Sequence, residues 1–205
     1  MIGLKEYYWC FIKAIPEKIC DEIVKYGNSQ VFQKGMIGPE GKVSDNANIR
    51  KSDICFLDDK WIYDEVLPYI HTANKNAGWN FNWDWCESMQ FTKYRSNAED
   101  GDQFYGWHSD DLPEPFGDHS HPNYKGKVRK LSATINLTDP SEYTGGDFEI
   151  DLRNNEHGRN VITLDRIKPK GTMVVFPSFV PHQVRPVLSG ERTSLVLWCL
   201  GSPWK

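Results

Sequence analysis

The chain has 205 residues, of which 25% are charged, and a formal net charge of −4 with both signs mixed along its length. This length suits one domain with a single core, and the charge pattern gives no reason to expect a nucleic-acid or membrane partner. The five cysteines are widely spaced without a CxxC pair, and neither a secretory leader nor a spanning apolar run is evident, so the sequence predicts free thiols in a soluble cytoplasmic protein.

Two amphipathic helices are predicted within about residues 1–80, which we expect to form a helical support. The first covers about 16–28, where apolar residues recur at helical spacing between an initial proline and a final glycine. The second covers about 60–76 and is expected to be kinked or interrupted at Pro68. Between them, the polar and glycine-rich segment 34–48 is predicted to be an exposed loop that selects the substrate.

Short segments rich in β-branched and aromatic residues follow over about 81–200. They predict a mainly β sandwich or jelly roll with flanking helices, and one domain over 1–205. The segment 111–127 contains three prolines and is expected to be a long ordered or lid-like loop. The pair Gly145-Gly146 is predicted to make a tight turn with positive φ. The predicted strands are about 85–95, 103–108, 130–138, 147–152, 160–165, 172–176, 182–187 and 193–200.

The first candidate for chemistry is the HxD pattern of His108 and Asp110 at the end of a predicted strand. Residues two apart on a strand share a face, so a histidine nitrogen and a carboxylate oxygen could converge on one metal ion. His182, which follows the apolar segment TMVVF, would complete the two-histidine, one-carboxylate set that suits Fe(II). The structural alternatives are polar surface for the HxD pair and a hydrogen-bonded core histidine for His182.

Ten residues after His182, Arg192 opens an otherwise apolar strand. A guanidinium is costly there unless it is paired, and its fork matches a carboxylate bidentately. We expect Arg192 to hold the distal carboxylate of a dicarboxylic co-substrate whose other end chelates the metal. The structural alternative is a salt bridge to an acidic side chain such as Glu191 or Asp147.

The ordered set of motifs over about residues 86–200 resembles the prolyl 4-hydroxylase branch of the iron(II)/2-oxoglutarate dioxygenases. The motifs are HxD, GGDF, KGTMVVFPS, a histidine, and an arginine ten residues later. The segments RKLSATINL and GGDFEI also resemble the bacterial PKHD-type hydroxylases. The resemblance implies a double-stranded β-helix, a cupin-like jelly roll whose open end holds iron.

Carried over by motif, the resemblance assigns a role to individual residues. It implies His108, Asp110 and His182 as iron ligands, with no catalytic residue beyond the metal centre. It implies Arg192, Tyr94 and Asn136 as contacts of 2-oxoglutarate. Tyr94 could equally be a core aromatic, and Asn136 could equally bond a neighbouring backbone. The implied cofactors are Fe(II), 2-oxoglutarate and O2, with ascorbate as a further candidate.

Three aromatic residues are candidates for the substrate cleft: Tyr105, Trp107 and Trp198. Strand periodicity places Tyr105 on the face opposite His108, unless a turn or bulge at Gly106 intervenes. Packing in the core is the alternative for each of them. Of the other histidines, His119 and His121 could suggest a second metal site but fit an exposed loop better, and His71 and His157 are expected at the surface.

The resemblance implies hydroxylation of an unactivated C–H bond, with release of succinate and CO2. It favours a prolyl residue in a peptide or protein as substrate, and free proline or another small metabolite is the alternative. A nucleic-acid base would need a basic groove that the sequence does not indicate. A non-catalytic jelly-roll binding module is an alternative of a different class.

Overall fold

The computed structural model of the chain describes residues 4–35, 49–99, 101–118, 121–152 and 158–204. Within these ranges the helices are α1 (Glu17–Asn28), α2 (Lys60–Asn76) and a short 3-10 helix (Asp165–Ile167). The strands are β1 (Trp9–Phe11), β2 (Gln33–Lys34), β3 (Arg50–Lys51), β4 (Asp53–Leu57), β5 (Trp85–Cys86), β6 (Met89–Arg95), β7 (Phe104–His108), β8 (Val128–Asn136), β9 (Tyr143–Gly145), β10 (Phe148–Asp151), β11 (Val161–Thr163), β12 (Met173–Pro177), β13 (His182–Val184) and β14 (Val187–Gly201).

The strands form two antiparallel sheets. The larger sheet has the order β1-β12-β8-β14-β6-β4-β2, with β5 and β9 also paired to β14. The smaller sheet has the order β11-β10-β13-β7-β3. Side chains of both sheets meet in one buried cluster, to which Tyr94 and Phe176 come from the larger sheet and Phe148 and Val184 from the smaller one. The chain is therefore a mainly β sandwich, as predicted.

The two helices cover the outer face of the larger sheet. Helix α1 packs so closely that a side-chain carbon at Gly27 would lie 2.7 Å from the Phe91 ring on β6. Helix α2 buries Ile62, Val66, Ile70 and Ala73. It runs through Pro68 without a break, because the packed apolar face outweighs the loss of one backbone hydrogen bond.

Each predicted strand segment contains a strand, although 85–95 divides into β5 and β6. The sequence prediction missed β1 to β4 and β9, which are two to five residues long and too short for a periodic signal. The missed strands β1 to β4 show that the first 80 residues supply strands of both sheets as well as helices. The single-domain organisation over 1–205 stays a prediction.

The described residues of the predicted loop 111–127 make contacts with one another and with β5. The Phe116 backbone N–H donates to the Lys127 carbonyl at 2.9 Å, and Tyr124 packs edge-on against Phe116 and Trp85. The exposed His121 stacks on Trp85.

Several predictions fall on residues outside the described ranges: those for His119, for His157 and for all but the first two residues of the loop 34–48. In the described ranges, neither helix has the length and apolar character needed to cross a membrane.

Candidate metal centre

Strands β7 and β13 lie side by side in the smaller sheet and bring the two predicted histidine ligands together. His108 and His182 are directly paired in the register. Asp110 follows two residues after His108, and its backbone N–H donates to the carbonyl of Ser178 at 2.8 Å. One ligand atom from each of the three side chains lies within 4.8 Å of the others. The structure therefore assembles the predicted HxD pair and the distant histidine into one cluster.

Hydrogen bonds to the backbone orient both imidazoles. The Nδ1 atom of His108 donates to the carbonyl of Gly106 at 2.8 Å, and the Nδ1 atom of His182 donates to the carbonyl of Val180 at 3.0 Å. A carbonyl only accepts, so the proton of each neutral ring resides on Nδ1. Each Nε2 then faces the Asp110 carboxylate, at 3.6 Å from one of its oxygens. This is the arrangement in which an imidazole offers a lone pair to a metal.

The charge states of the cluster suit a divalent metal. Burial and the neighbouring His182 lower the pKa of His108 to about 3, so its contact with Asp110 is not an ion pair at neutral pH. Burial opposes ionisation of Asp110, but His182, His108 and Arg129 hold the pKa of this carboxyl below its ordinary value. Its Oδ2 atom is buried without a hydrogen-bond partner among the described residues. Two imidazoles, one carboxylate and an unsatisfied buried oxygen fit an Fe(II) site.

Arg192 is 1% exposed, and both of its terminal nitrogens lack a hydrogen-bond partner in the described part of the chain. Among the described residues, Arg192 does not form the salt bridge considered as the structural alternative. Glu191 instead lies 3.5 Å from Lys93, and Asp147 lies 2.9 Å from Lys168. A buried guanidinium with unmet donors is costly to the fold and is well prepared to bind an anion.

The space around Arg192 is kept open by glycine. Gly145 and Gly146 have φ of +73° and +61°, which confirms the predicted turn. A side-chain carbon at Gly146 would lie 2.9 Å from Cδ of Arg192. Tyr94 is paired directly with Arg192 across β6 and β14, and the guanidinium carbon lies 5.8 Å from its ring centroid. Burial raises the pKa of Tyr94, so it stays a neutral phenol.

Asn136 uses its amide group differently from the role that the resemblance implies. The amide nitrogen donates to the backbone carbonyls of Thr138 at 2.8 Å and Lys168 at 2.6 Å. This is the backbone-bonded alternative, and it leaves only the carbonyl oxygen, which cannot donate to a carboxylate. A contact of Asn136 with 2-oxoglutarate stays a prediction.

Tyr105 lies at the metal centre because β7 contains an irregularity. His182 pairs with His108, and Val184 pairs with Tyr105, so two residues of β7, 106 and 107, oppose the single residue 183 of β13. This bulge turns Tyr105 onto the face of His108, where the two rings stack at 3.5 Å and 10°. The Arg50 guanidinium lies 4.5 Å above the Tyr105 ring. Sequence reasoning missed Arg50, since the two-residue strand that carries it has no detectable pattern.

Trp107 and Trp198 occupy different surroundings. The Trp107 ring lies 5.4 Å from the guanidinium of Arg159. The buried Trp198 ring lies 4.1 Å below the guanidinium of Arg129, which in turn donates from Nη1 to the Asp110 carbonyl at 3.3 Å. Trp198 is thus linked to the candidate ligand Asp110 through a single residue, Arg129.

Glu87 forms a buried ion pair with Arg129. Its carboxylate accepts two hydrogen bonds from Arg129, at 2.5 and 2.8 Å. Sequence reasoning missed both Glu87 and Arg129. The sequence contained one signal for Arg129: it stands at the start of the apolar segment RKLSATINL, and a buried charge requires a partner.

Residues 89–200 match the family model of the 2OG-Fe(II) oxygenase superfamily. A PKHD-type hydroxylase of Shewanella baltica is 35% identical over 111 residues, which cover 54% of this chain and 43% of that protein. The chain thus spans less than half of the length of this curated relative.

Two solved structures are similar over nearly the whole chain. A prolyl-4-hydroxylase of Pseudomonas putida has a TM-score of 0.66 at 17% identity, covering 95% of this chain and 92% of that one. A prolyl hydroxylase of Trichoplax adhaerens, in complex with a peptide fragment of the hypoxia inducible factor oxygen degradation domain, has a TM-score of 0.65 at 17% identity, covering 95% and 84%. At these identities the similarity concerns the fold, and it confirms the predicted jelly roll.

Proposed function

The chain belongs to the 2OG-Fe(II) oxygenase superfamily, and we propose that it hydroxylates an unactivated C–H bond of a prolyl residue in a peptide or protein. The observation that carries this proposal is the buried Arg192, whose unmet donors lie in the same sandwich as a two-histidine, one-carboxylate cluster. A metal cluster alone would suit many functions. Paired with an anchor for an anion, it suits a metal enzyme that uses a carboxylate co-substrate.

We propose that His108, Asp110 and His182 hold Fe(II) through the two Nε2 atoms and a carboxylate oxygen. Hydrogen bonds to the backbone already fix both rings in the required tautomer, so binding needs no reorientation of the histidines. When bound, Fe(II) with 2-oxoglutarate and O2 supplies an oxidant that hydroxylates unactivated C–H bonds, with release of succinate and CO2. Ascorbate as a further cofactor stays a prediction.

Arg192 would receive the distal carboxylate of 2-oxoglutarate in a bidentate contact. Tyr94 would line the same space as a neutral phenol, and Gly146 would leave the stem of Arg192 free of a neighbouring side chain. A buried guanidinium with unmet donors costs free energy unless a ligand satisfies them, so Arg192 favours a bound anion in an enzyme and in a binding module alike. The two-histidine, one-carboxylate cluster in the same sandwich favours the enzyme, because this ligand set leaves coordination positions open for oxygen chemistry.

A prolyl substrate is supported by the aromatic side chains around the candidate metal site. The Tyr105 ring lies against His108, and Trp198 reaches Asp110 through Arg129. Flat rings suit contact with a proline ring, and an extended proline-containing peptide loses little entropy on binding. The peptide seen in the Trichoplax adhaerens complex belongs to that protein and supports the same class of substrate here.

The reaction class can be tested without knowledge of the substrate. Anaerobic addition of Fe(II) and 2-oxoglutarate to the purified chain should produce a weak visible charge-transfer band. Asp110→Ala should remove both iron binding and the band, while thermal melting checks that this variant is folded. A folded, iron-loaded wild-type protein without the band would contradict the proposal.

The substrate class needs a separate assay. The chain is incubated with Fe(II), 2-oxoglutarate, O2 and a panel of proline-containing peptides, and mass spectrometry then searches for a gain of one oxygen atom on proline. Free proline is included as the small-molecule alternative, and Asp110→Ala serves as the inactive control. Hydroxylation of free proline with unmodified peptides would refute the peptide substrate while leaving the reaction class intact.

A further inference from the structure

Two cysteines that are 113 positions apart in sequence lie side by side in the larger sheet. Cys86 on β5 is directly paired with Cys199 on β14, and their Sγ atoms are 2.7 Å apart. Directly opposed residues of antiparallel strands have Cα atoms about 4.5–5.5 Å apart, which is within the range that a disulfide spans. A disulfide is about 2.04 Å long, so the two sulfurs need to approach by only about 0.7 Å.

From this geometry we propose that Cys86 and Cys199 form a reversible disulfide, and that the pair is a redox-modification site. The other three cysteines are Cys10, Cys20 and Cys55, and the structure describes all five cysteines as free thiols. The spacing of cysteines in the sequence gives no indication of this pair, because the two strands meet only in the folded sheet.

The two thiols differ in their access to solvent. Cys86 is 9% exposed and lines a cleft of about 640 Å³ between α2 and β5, together with Tyr63, Trp85 and Tyr124. Cys199 is 0% exposed, and burial raises the pKa of its thiol well above the ordinary value. A small oxidant therefore reaches Cys86 first, and Cys199 acts as the resolving thiol because its sulfur lies 2.7 Å from that of Cys86.

Hydrogen peroxide oxidises the pair in two steps. The Cys86 thiol loses its proton and the thiolate attacks one peroxide oxygen; the O–O bond breaks, the departing oxygen takes up the proton, and a sulfenic acid and one water are formed. The sulfur of Cys199 then attacks the Cys86 sulfur and displaces the hydroxyl group as a second water. Two thiols lose two electrons and two protons, and one hydrogen peroxide is reduced to two waters. A dithiol reductant reverses the oxidation by exchange.

The pair adjoins residues that lead to the candidate metal site. Glu87 follows Cys86, Trp198 precedes Cys199, and the Glu87 N–H donates to the Trp198 carbonyl at 2.9 Å. The Glu87 carboxylate holds Arg129, which touches Asp110. Closing the disulfide moves the two sulfurs, and the side chains packed on them, one residue away from this group. We expect a fall in turnover of at least about threefold, because small displacements near a reacting centre are costly.

The modification is tested on the 205-residue chain before iron is added. Protein is treated with hydrogen peroxide, remaining thiols are alkylated, and peptides are analysed by mass spectrometry. The expected result is a cross-linked pair of peptides containing residues 86 and 199, which dithiothreitol separates. Cys55→Ser, which alters a buried cysteine outside the pair, should form the same cross-link, and Cys86→Ser should not. Sulfinic acid at Cys86 without a cross-link, or two unmodified thiols after treatment, would overturn the proposal.

The effect on turnover rests on the proposed function and is measured separately. After peroxide is removed, oxidised wild type and oxidised Cys86→Ala are loaded with Fe(II) and assayed with 2-oxoglutarate. Wild type should recover its activity with dithiothreitol, whereas Cys86→Ala should be unaffected by the whole treatment. A complete cross-link with unchanged turnover would refute the coupling to the site. Absence of turnover in every reduced protein would instead contradict the proposed function, and the cross-linking result would stand.

Discussion

Replacing Arg192 by methionine should weaken 2-oxoglutarate binding while leaving the ligand-free protein at least as stable. The guanidinium is 1% exposed, and both terminal nitrogens lack a partner among the described residues. Two charge-assisted hydrogen bonds to a carboxylate contribute about 1.5–3 kcal/mol each. Their loss, about 3–6 kcal/mol in total, corresponds to a dissociation constant at least roughly 100-fold higher.

The ligand-free form of the same variant should be at least as stable as the wild-type protein. An unsatisfied buried donor costs about 1–3 kcal/mol, and methionine fills a similar volume without a polar atom. For a chain of this size each kcal/mol shifts the melting temperature by about 2–4 °C. We therefore expect the ligand-free Arg192→Met protein to melt at the wild-type temperature or a few degrees above it.

Calorimetry with 2-oxoglutarate and thermal melting without it measure the two effects. Arg185→Met, which removes an exposed arginine, is the matched control and should bind 2-oxoglutarate as wild type does. A melting temperature several degrees below wild type for Arg192→Met would show that Arg192 has a structural partner. Unchanged affinity for 2-oxoglutarate would refute its role as the anchor.

One further prediction concerns the space around Arg192, and another concerns a buried carboxylate that stabilises the fold. Gly146→Ala should raise the KM for 2-oxoglutarate at least about tenfold, because the new methyl group meets the stem of the anchoring arginine at 2.9 Å. Gly78→Ala introduces the same positive-φ strain in open space, so equal KM values in the two variants would disprove this reasoning. Asp53→Asn should lower the free energy of unfolding at neutral pH by roughly 1–3 kcal/mol. Burial opposes ionisation of Asp53, but hydrogen bonds from Gln103 and Arg95 help to hold its pKa below the ordinary 3.8. Its contribution is therefore complete above pH 3.8 and is lost as the pH falls through the lower folded value. Denaturant unfolding of wild type and Asp53→Asn as a function of pH measures this contribution. A difference in the free energy of unfolding that persists below the folded pKa of Asp53 would contradict the prediction.

Local patterns in the sequence were sufficient for much of the fold and for the candidate ligands. Each predicted strand segment contains a strand, since a run of β-branched and aromatic residues between turn residues is a local signal. The spacing of His108 and Asp110 indicated a shared site because residues two apart on a strand share a face. Arg192 stood out because a charge at the start of an apolar strand needs a partner. Strands β1 to β3 were missed because two or three residues carry no period, and β4, which is five residues long, was missed as well.

Contacts between distant segments were decided by the tertiary structure alone. A bulge in β7 turns Tyr105 onto His108, although strand periodicity places the two on opposite faces. The pairing of β5 with β14 sets Cys86 against Cys199. The sequence by itself determines what each strand can bury and which groups it carries. Register and bulges depend on the packing of two whole sheets against each other, and no single strand contains that information.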